Sequence, residues 1–153
     1  MATTVTISGT IAAPPEAVFR LYTDPARRSE WNPAARGIVE QTGPLNEPGT
    51  RYVVDTRFGP FEVHVLRIEP PLLIEMLEGV GRRGEAHVTL HFKPTGDGRT
   101  KLIAEQTLTA SGRLERLIAP LWARLSWVYG QLELRRLRSV AERDARSDSP
   151  STT

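Results

Sequence analysis

LERLIAPLWARLSWVYGQLELRRLRSVAER, from Leu114 to Arg143, is the stretch whose reading decides the fold. Apolar residues recur through it at helical spacing, so it predicts one helix of about 45 Å at 1.5 Å per residue, well over twice the usual globular length. On a helical wheel Leu114, Leu117, Ile118, Leu121, Leu125, Val128 and Leu132 form one stripe. Ala119, Ala123, Trp127, Gly130, Leu134, Leu137 and Ala141 lie nearly opposite. Both stripes cannot face the same sheet. The second continues to the helix end and is expected to face it, leaving the bulky stripe to pack on other helices, on a second copy of the chain or on a membrane surface. Small side chains at Ala119, Ala123, Ser126 and Gly130 stand where a packed core calls for bulk, which predicts space beneath the helix. Gly130 in mid-helix costs about 1 kcal/mol against alanine and asks for a packing or cavity reason. Pro120 is expected in the first turns or at a bend.

Upstream the period changes from 3.6 to two. Thr4 to Ile11 reads as a strand, and Pro15 opens a short helix to about Tyr22 that buries Val18 and Phe19. A second short helix follows Thr23-Asp24-Pro25, with Asp24 as its cap, and ends near Trp31-Asn32-Pro33 because Pro33 disfavours helical backbone at Asn32. Six further strands are expected over Gly37–Thr42, Arg51–Thr56, Pro60–Ile68, Leu72–Glu78, Glu85–Lys93 and Thr100–Thr109. Short Gly/Pro-rich separators, including Glu47-Pro48-Gly49, Pro70-Pro71, Gly81 to Gly84 and Thr95-Gly96-Asp97-Gly98, favour an antiparallel meander. Val88, Leu90 and Phe92 oppose His87, Thr89 and His91, Phe61 and Val63 oppose Glu62 and His64, and Leu102 and Leu108 share a face with Gln106. One face of the sheet is therefore apolar and needs the long helix as its cover.

The chain has 153 residues, 39% of them hydrophobic, enough for one core. A single domain over 1–145 is expected, with residues 146–153 as a disordered polar tail. No apolar run approaches the 18 or so residues that span a bilayer, so no stable membrane insertion is expected, and the N-terminus lacks signal-peptide character. These features predict a cytoplasmic protein. With no cysteine, disulfides, thiolate metal sites and cysteine nucleophiles are excluded. The net charge is only +2, and the helical arginines Arg124, Arg135, Arg136, Arg138 and Arg143 alternate with Glu133 and Glu142, which reads as a solvated face rather than a nucleic-acid surface.

The order of strand, helical corner, six-strand meander and long closing helix resembles the START-like (SRPBCC) superfamily, and within it the bacterial polyketide cyclase/dehydrase and lipid-transport-like family. The resemblance runs from Thr4 to about Arg143 and rests on Ile11 to Phe19, Thr23-Asp24-Pro25 leading to Trp31-Asn32-Pro33, Glu69-Pro70-Pro71, Gly98-Arg99-Thr100 and the closing helix. It implies an α+β helix-grip fold, a curved antiparallel sheet of about seven strands wrapped around the C-terminal helix, with an elongated apolar cavity for lipids, polyketides or similar molecules. It carries no fixed catalytic motif, so no catalytic residue transfers to this chain.

The expected lining of that cavity is Trp31, Tyr52, Phe61, Val63, Met76, Leu90, Gln106, Ala123, Ser126, Trp127 and Gly130. Trp127, beside the gap at Ala123, Ser126 and Gly130, is the strongest ligand candidate on the helix. An unpaired buried amide at Gln106 would cost about 1–3 kcal/mol, so it should bond a neighbour or a ligand. An imidazole at His64 could serve as a general base, but alternation puts His64 on the outer face. His87 and His91, four residues apart on a strand, are separated by about 13 Å, too far to share a metal. Glu78 and Arg82 could pair at a hairpin end. No metal site and no cofactor is expected.

Three functions fit these features. The first is binding of a hydrophobic small molecule. The second is a cyclase or dehydratase in which His64, Gln106 or Glu78 moves a proton, with positioning supplying most of the rate. The third is a protein-interaction role resembling the heat-shock ATPase activators of the same superfamily, or its milder form, a homodimer, through the bulky helix stripe.

Overall fold

Alternation fixes the architecture of the computed structural model, which describes residues 2–79, 84–109 and 112–148. Seven strands, β1 (Ala2–Ile11), β2 (Ala35–Gln41), β3 (Arg51–Thr56), β4 (Phe61–Glu69), β5 (Leu73–Gly79), β6 (Glu85–Thr95) and β7 (Arg99–Thr109), form one antiparallel sheet in the order β1-β7-β6-β5-β4-β3-β2. Between β1 and β2 lie helix α1 (Pro15–Thr23), a 3-10 turn over Pro25–Arg27 and the single-turn helix α2 (Arg28–Trp31), and helix α3 (Arg113–Asp148) closes the fold. This is the α+β helix-grip arrangement, with the meander and the helical corner where the sequence places them. The turn expected at Gly81 to Gly84, and with it Arg82, lies outside the described residues except for Gly84.

Register lines up the inner face in cross-strand rows. Tyr52, Val63, Glu78, Ala86 and Leu108 are successive partners across β3 to β7, and Val65, Met76, Val88, Gln106 and Val5 form the next row. Apart from Glu78 and Gln106, both half-buried, all of these are buried, whereas His64, His87 and His91 point to the other face, as alternation requires. Glu75 on that outer face is 2.8 Å from the His87 Nε2.

Helix α3 turns its small-residue stripe inward: Ala119, Leu134, Leu137, Val140 and Ala141 are buried, and Leu117, Leu121 and Leu125 of the bulky stripe are exposed. The bulky stripe thus does not pack on the helical corner. The space expected beneath Gly130 is not there either. A methyl group on Gly130 would meet Ile7 Cδ1 of β1 at 2.0 Å, and one on Gly9 would meet Leu134 Cδ2 at 2.8 Å, so glycines on both partners bring helix and strand close together. Trp127 differs from expectation as well. It is 50% exposed and lines a groove with Thr4, Val5 and Thr6 of the edge strand β1. Pro120 lies within the helix, where its missing N–H leaves the Arg116 carbonyl without its partner one turn on. The helix runs on to Asp148, through the first residues of the expected tail.

The corner closes the far end of the sheet. Phe19 and Tyr22 of α1 meet Phe92 edge-on at centroid separations of 5.5 and 6.2 Å, and Val18 and Trp31 are almost fully buried beside them. Each such side chain contributes about 1.5–3 kcal/mol by leaving water. Two polar clasps hold the corner in place: Thr100 Oγ1 donates to the Ala13 carbonyl at 2.7 Å, and the Ala12 N–H donates to Glu142 Oε1 of α3 at 3.0 Å.

Candidate functional site

Asp24 starts the local structure that builds the site. Its carboxylate accepts the Ala26 N–H at 3.0 Å, capping the 3-10 turn that leads into α2, and α2 stops where Asn32 turns extended ahead of Pro33. One helical turn puts Arg28 and Trp31, three residues apart, on the same side. Trp31 stacks on Tyr22 from the end of α1, with centroids 4.8 Å apart and ring planes 26° from parallel. The Arg28 guanidinium lies 4.5 Å from the Trp31 ring centroid and 5.4 Å from that of Tyr22.

Arg28 is 2% exposed, an unusual place for a cation. Its Nε and Nη1 have no hydrogen-bond partner, and neither has the buried Trp31 Nε1. Burial works against the charge, but Tyr52, Tyr22, Glu133 and Glu78 around it outweigh that and raise its pKa. The aromatic faces supply part of what water would have given, since a desolvated cation over a ring gains about 2 kcal/mol.

Two carboxyls face this guanidinium from different elements. Glu78 continues the inner series Ile74 and Met76 on β5, next to the small Ala86 of β6. Burial pushes its carboxyl up, with Arg28 opposing. Glu133 comes from α3, one turn after Tyr129. Burial pushes it up to about 7, Arg28 opposes, Glu78 adds to the rise, and the Tyr129 hydroxyl beside it opposes it again. Tyr52 on β3 is raised, first by burial and against the pull of Arg28. Tyr129 is raised to about 12 by burial and Glu133.

Tyr129 also ties α3 to the corner. Its hydroxyl donates to Asn32 Oδ1 and accepts the Ala34 N–H at 3.3 Å, and Asn32 Oδ1 accepts the Ala34 and Ala35 N–H groups at 3.2 and 3.3 Å. With Asn32 2% exposed, this network fixes where the next turn of α3 presents Glu133.

Of the residues expected to line a cavity, Trp31 and Tyr52 meet around Arg28. Val63, Met76 and Leu90 are buried on the inner face, with Phe61 packed partly buried against them. Gln106 sits half-buried in the row of Met76 and Val88. Ala123 and Ser126 are half-buried on α3, while Trp127 and Gly130 serve the contact with β1 described above. Sequence reasoning missed Arg28, Tyr129 and Glu133. Glu133 in particular is not part of a solvated face. No group of three or more His, Asp or Glu side chains among the described residues is placed to hold a metal.

Known proteins carry the same fold. A Staphylococcus aureus protein of unknown function superposes with a TM-score of 0.78 at 17% identity, over 95% of this chain and 97% of its own. CalU16 from Micromonospora echinospora gives 0.67 at 22%, over 98% of this chain and 78% of its own. Norcoclaurine synthase from Thalictrum flavum, solved as a point mutant with a transition-state analogue, gives 0.62 at 13%, over 89% and 97%. At these identities the likeness concerns fold alone, and no curated protein matches the chain. A family model does match, across residues 12–126, from the helical corner through the sheet into α3. That span covers well over half of the 153 residues and contains Arg28, Tyr52 and Glu78, so the chain belongs to the family described as Activator of Hsp90 ATPase homolog 1-like protein, within the START superfamily.

Proposed function

We propose that this protein binds a small organic molecule with an apolar body and a polar end, held between the inner face of the sheet and α3. Val63, Met76 and Leu90 supply the apolar wall, and Arg28, Tyr52 and Glu133 meet the polar end. One observation carries this reading. Glu133 is surrounded densely enough for burial to lift its carboxyl to about 7, and yet the residue is only half-buried. Packing that sealed it would leave no open surface, and an outer face would leave it near its ordinary value; the wall of a recess has both properties. Glu78, half-buried with its carboxyl also raised, repeats the pattern from the opposite side.

The test is uptake of a neutral apolar fluorophore, N-phenyl-1-naphthylamine, followed by its blue shift and by quenching of tryptophan. Saturable one-to-one uptake that weakens at least tenfold in Ala86→Leu, which crowds Glu78, supports the reading. Absence of uptake by the folded wild-type protein overturns it.

A second reading has its own observation: a carboxyl titrating near 7 beside a tyrosine hydroxyl suits general acid–base work at neutral pH. In that case Glu133 removes a proton from carbon next to a bound carbonyl. Deuterium wash-in from D2O at that carbon of an aryl methyl ketone, lost in Glu133→Gln, is the expected result, and no wash-in above the protein-free rate removes the enzyme reading.

The family's description names an ATPase activator, and the exposed apolar stripe of α3, with Leu117 78% and Leu121 61% exposed, is what a protein partner or a second copy would cover. A monomer by light scattering at about 100 μM, above the dissociation constants of most stable dimers, rules out the self-paired form.

A further inference from the structure

Among the described residues the buried side-chain atoms without hydrogen-bond partners are all N–H groups: Arg138 Nε on α3, and three that lie together. Arg28 Nε, Arg28 Nη1 and Trp31 Nε1 are all N–H donors, on two side chains whose planar groups stack 4.5 Å apart, and each is cut off from solvent. An interior donor without an acceptor costs about 1–3 kcal/mol, and more when it is charged, so three together on adjacent groups mark a missing acceptor. The neighbouring oxygens do not fill that place: a hydrogen bond between Arg28 and the Tyr52 hydroxyl still leaves Nε and Nη1 without an acceptor. Asn32 Oδ1 already accepts from Tyr129, Ala34 and Ala35, and Glu78 and Glu133 act on Arg28 through space without a hydrogen-bonded ion pair. Every other paired arginine of the corner does find a carboxylate: Arg27 binds Glu30 at 2.7 Å and Asp144 at 2.6 Å, and Arg143 binds Glu30 at 3.2 Å.

We infer that the molecule bound at this site carries a carboxylate, which Arg28 receives through its free Nε and Nη1 edge. This rests on the reading of the interior as a ligand site and adds the chemical class of the polar end. A guanidinium presents two parallel N–H groups that match the two oxygens of a carboxylate, whereas an alcohol or amine offers no such match. Burial raises both the Glu78 and the Glu133 carboxyls, which lessens their repulsion of an incoming anion. Tyr22 and Trp31 cover the guanidinium by its flat faces, so an acceptor would have to meet it at its edge, where Nε and Nη1 lack a partner.

The experiment measures calorimetric affinities at neutral pH for two matched pairs, dodecanoate against dodecanol and 2-naphthylacetate against 2-naphthylacetamide. The acid of at least one pair binds about tenfold or more tightly than its neutral partner, and in Arg28→Met that ratio falls to about one. In wild-type protein the Arg28 Nε–H resonance shifts on adding the acid and stays in place on adding the neutral partner, which keeps the test independent of how the variant folds. Equal affinities within both pairs, or a preference that survives Arg28→Met, overturn the carboxylate while leaving the recess intact. Failure of every compound and of the neutral fluorophore to bind overturns the ligand site itself, and the carboxylate with it.

Discussion

Arg27 and Arg28 are consecutive, and α3 answers each with a different stretch and a different chemistry. Arg27 points outward and makes a fork with Glu30 and a single bond with Asp144, with about a third of each side chain in water. Arg28 points inward, its guanidinium between two aromatic rings, facing Glu78 and Glu133 without touching them. The outer cluster satisfies its donors, so its carboxylates sit below their ordinary range: Glu30 and Asp144 are both lowered, chiefly by hydrogen bonds from Arg27. The inner cluster raises its carboxyls and leaves donors open. A fold needing only rigidity gains nothing from the second arrangement, since a buried unpaired cation costs several kcal/mol that a leucine would not. Paired charge fastens the corner to the helix; the unpaired donors of Arg28 are what the proposed ligand would meet.

The largest expected effect separates the two roles of Arg28. Replacing it with alanine leaves a hole between Tyr22 and Trp31 and costs about 3 kcal/mol, a fall in Tm of roughly 6–12 °C for a chain of this size. Arg28→Met keeps the volume and removes the charge, so its loss stays under about 1 kcal/mol. Thermal melts at pH 5, where Glu133 is neutral in the fold, read both. Equal losses in the two variants would show the charge itself to be stabilising and would erase the contrast with Arg27.

Glu133 comes next. Its carboxyl titrates at about 7 in the folded protein against its ordinary 4.5, so the unfolded state gives up its proton first. The protein therefore loses stability from this group as pH rises from about 4.5 to about 7, and nothing further above that. A shift of that size has an upper limit of about 3 kcal/mol, reduced by the residue's partial exposure to roughly half. Glu133→Gln should accordingly be more stable than the parent at pH 8, with the gain vanishing below pH 4.5. A gain independent of pH in paired melts would mean that Glu133 is not desolvated at all.

How much of this could be read in advance follows from what periodicity reports. Val88, Leu90 and Phe92 against His87 and His91 placed β6 correctly because alternation records which side meets water. The inward stripe of α3 was legible for the same reason, from Leu134, Leu137 and Ala141. Burial of charge leaves no such trace. Glu78 prolongs the alternation of Ile74 and Met76, and Glu133 flanks the inner stripe one turn from Tyr129 and Leu137, but a carboxylate at such a position reads equally as a solvated edge. Arg28 is legible only once Tyr22 and Trp31 are known to stack. Small residues misled for a related reason: Gly130 signals close approach or empty space alike, and only Ile7, 123 positions away in the chain, decides between them.

The smallest effect tests the outer cluster by its response to salt and acid. Arg27→Met removes the hydrogen bonds to Glu30 and Asp144, exposed enough that the loss is about 1 kcal/mol at low ionic strength. Both carboxylates are depressed in the fold, so the stability they contribute is present above their ordinary values, 4.5 and 3.8, and disappears as pH falls through the lower folded values. Screening shortens to about 3 Å in 1 M salt, which should remove most of the difference between Arg27→Met and the parent. Arg28 lies beyond the reach of salt ions, so the Arg28→Ala difference should hold across the same range. Chemical denaturation in urea, repeated at low and high NaCl, measures the two side by side. An Arg28 effect that fades with salt as the Arg27 effect does would place the inner guanidinium in contact with solvent, and the distinction between a fastening charge and a waiting one would collapse.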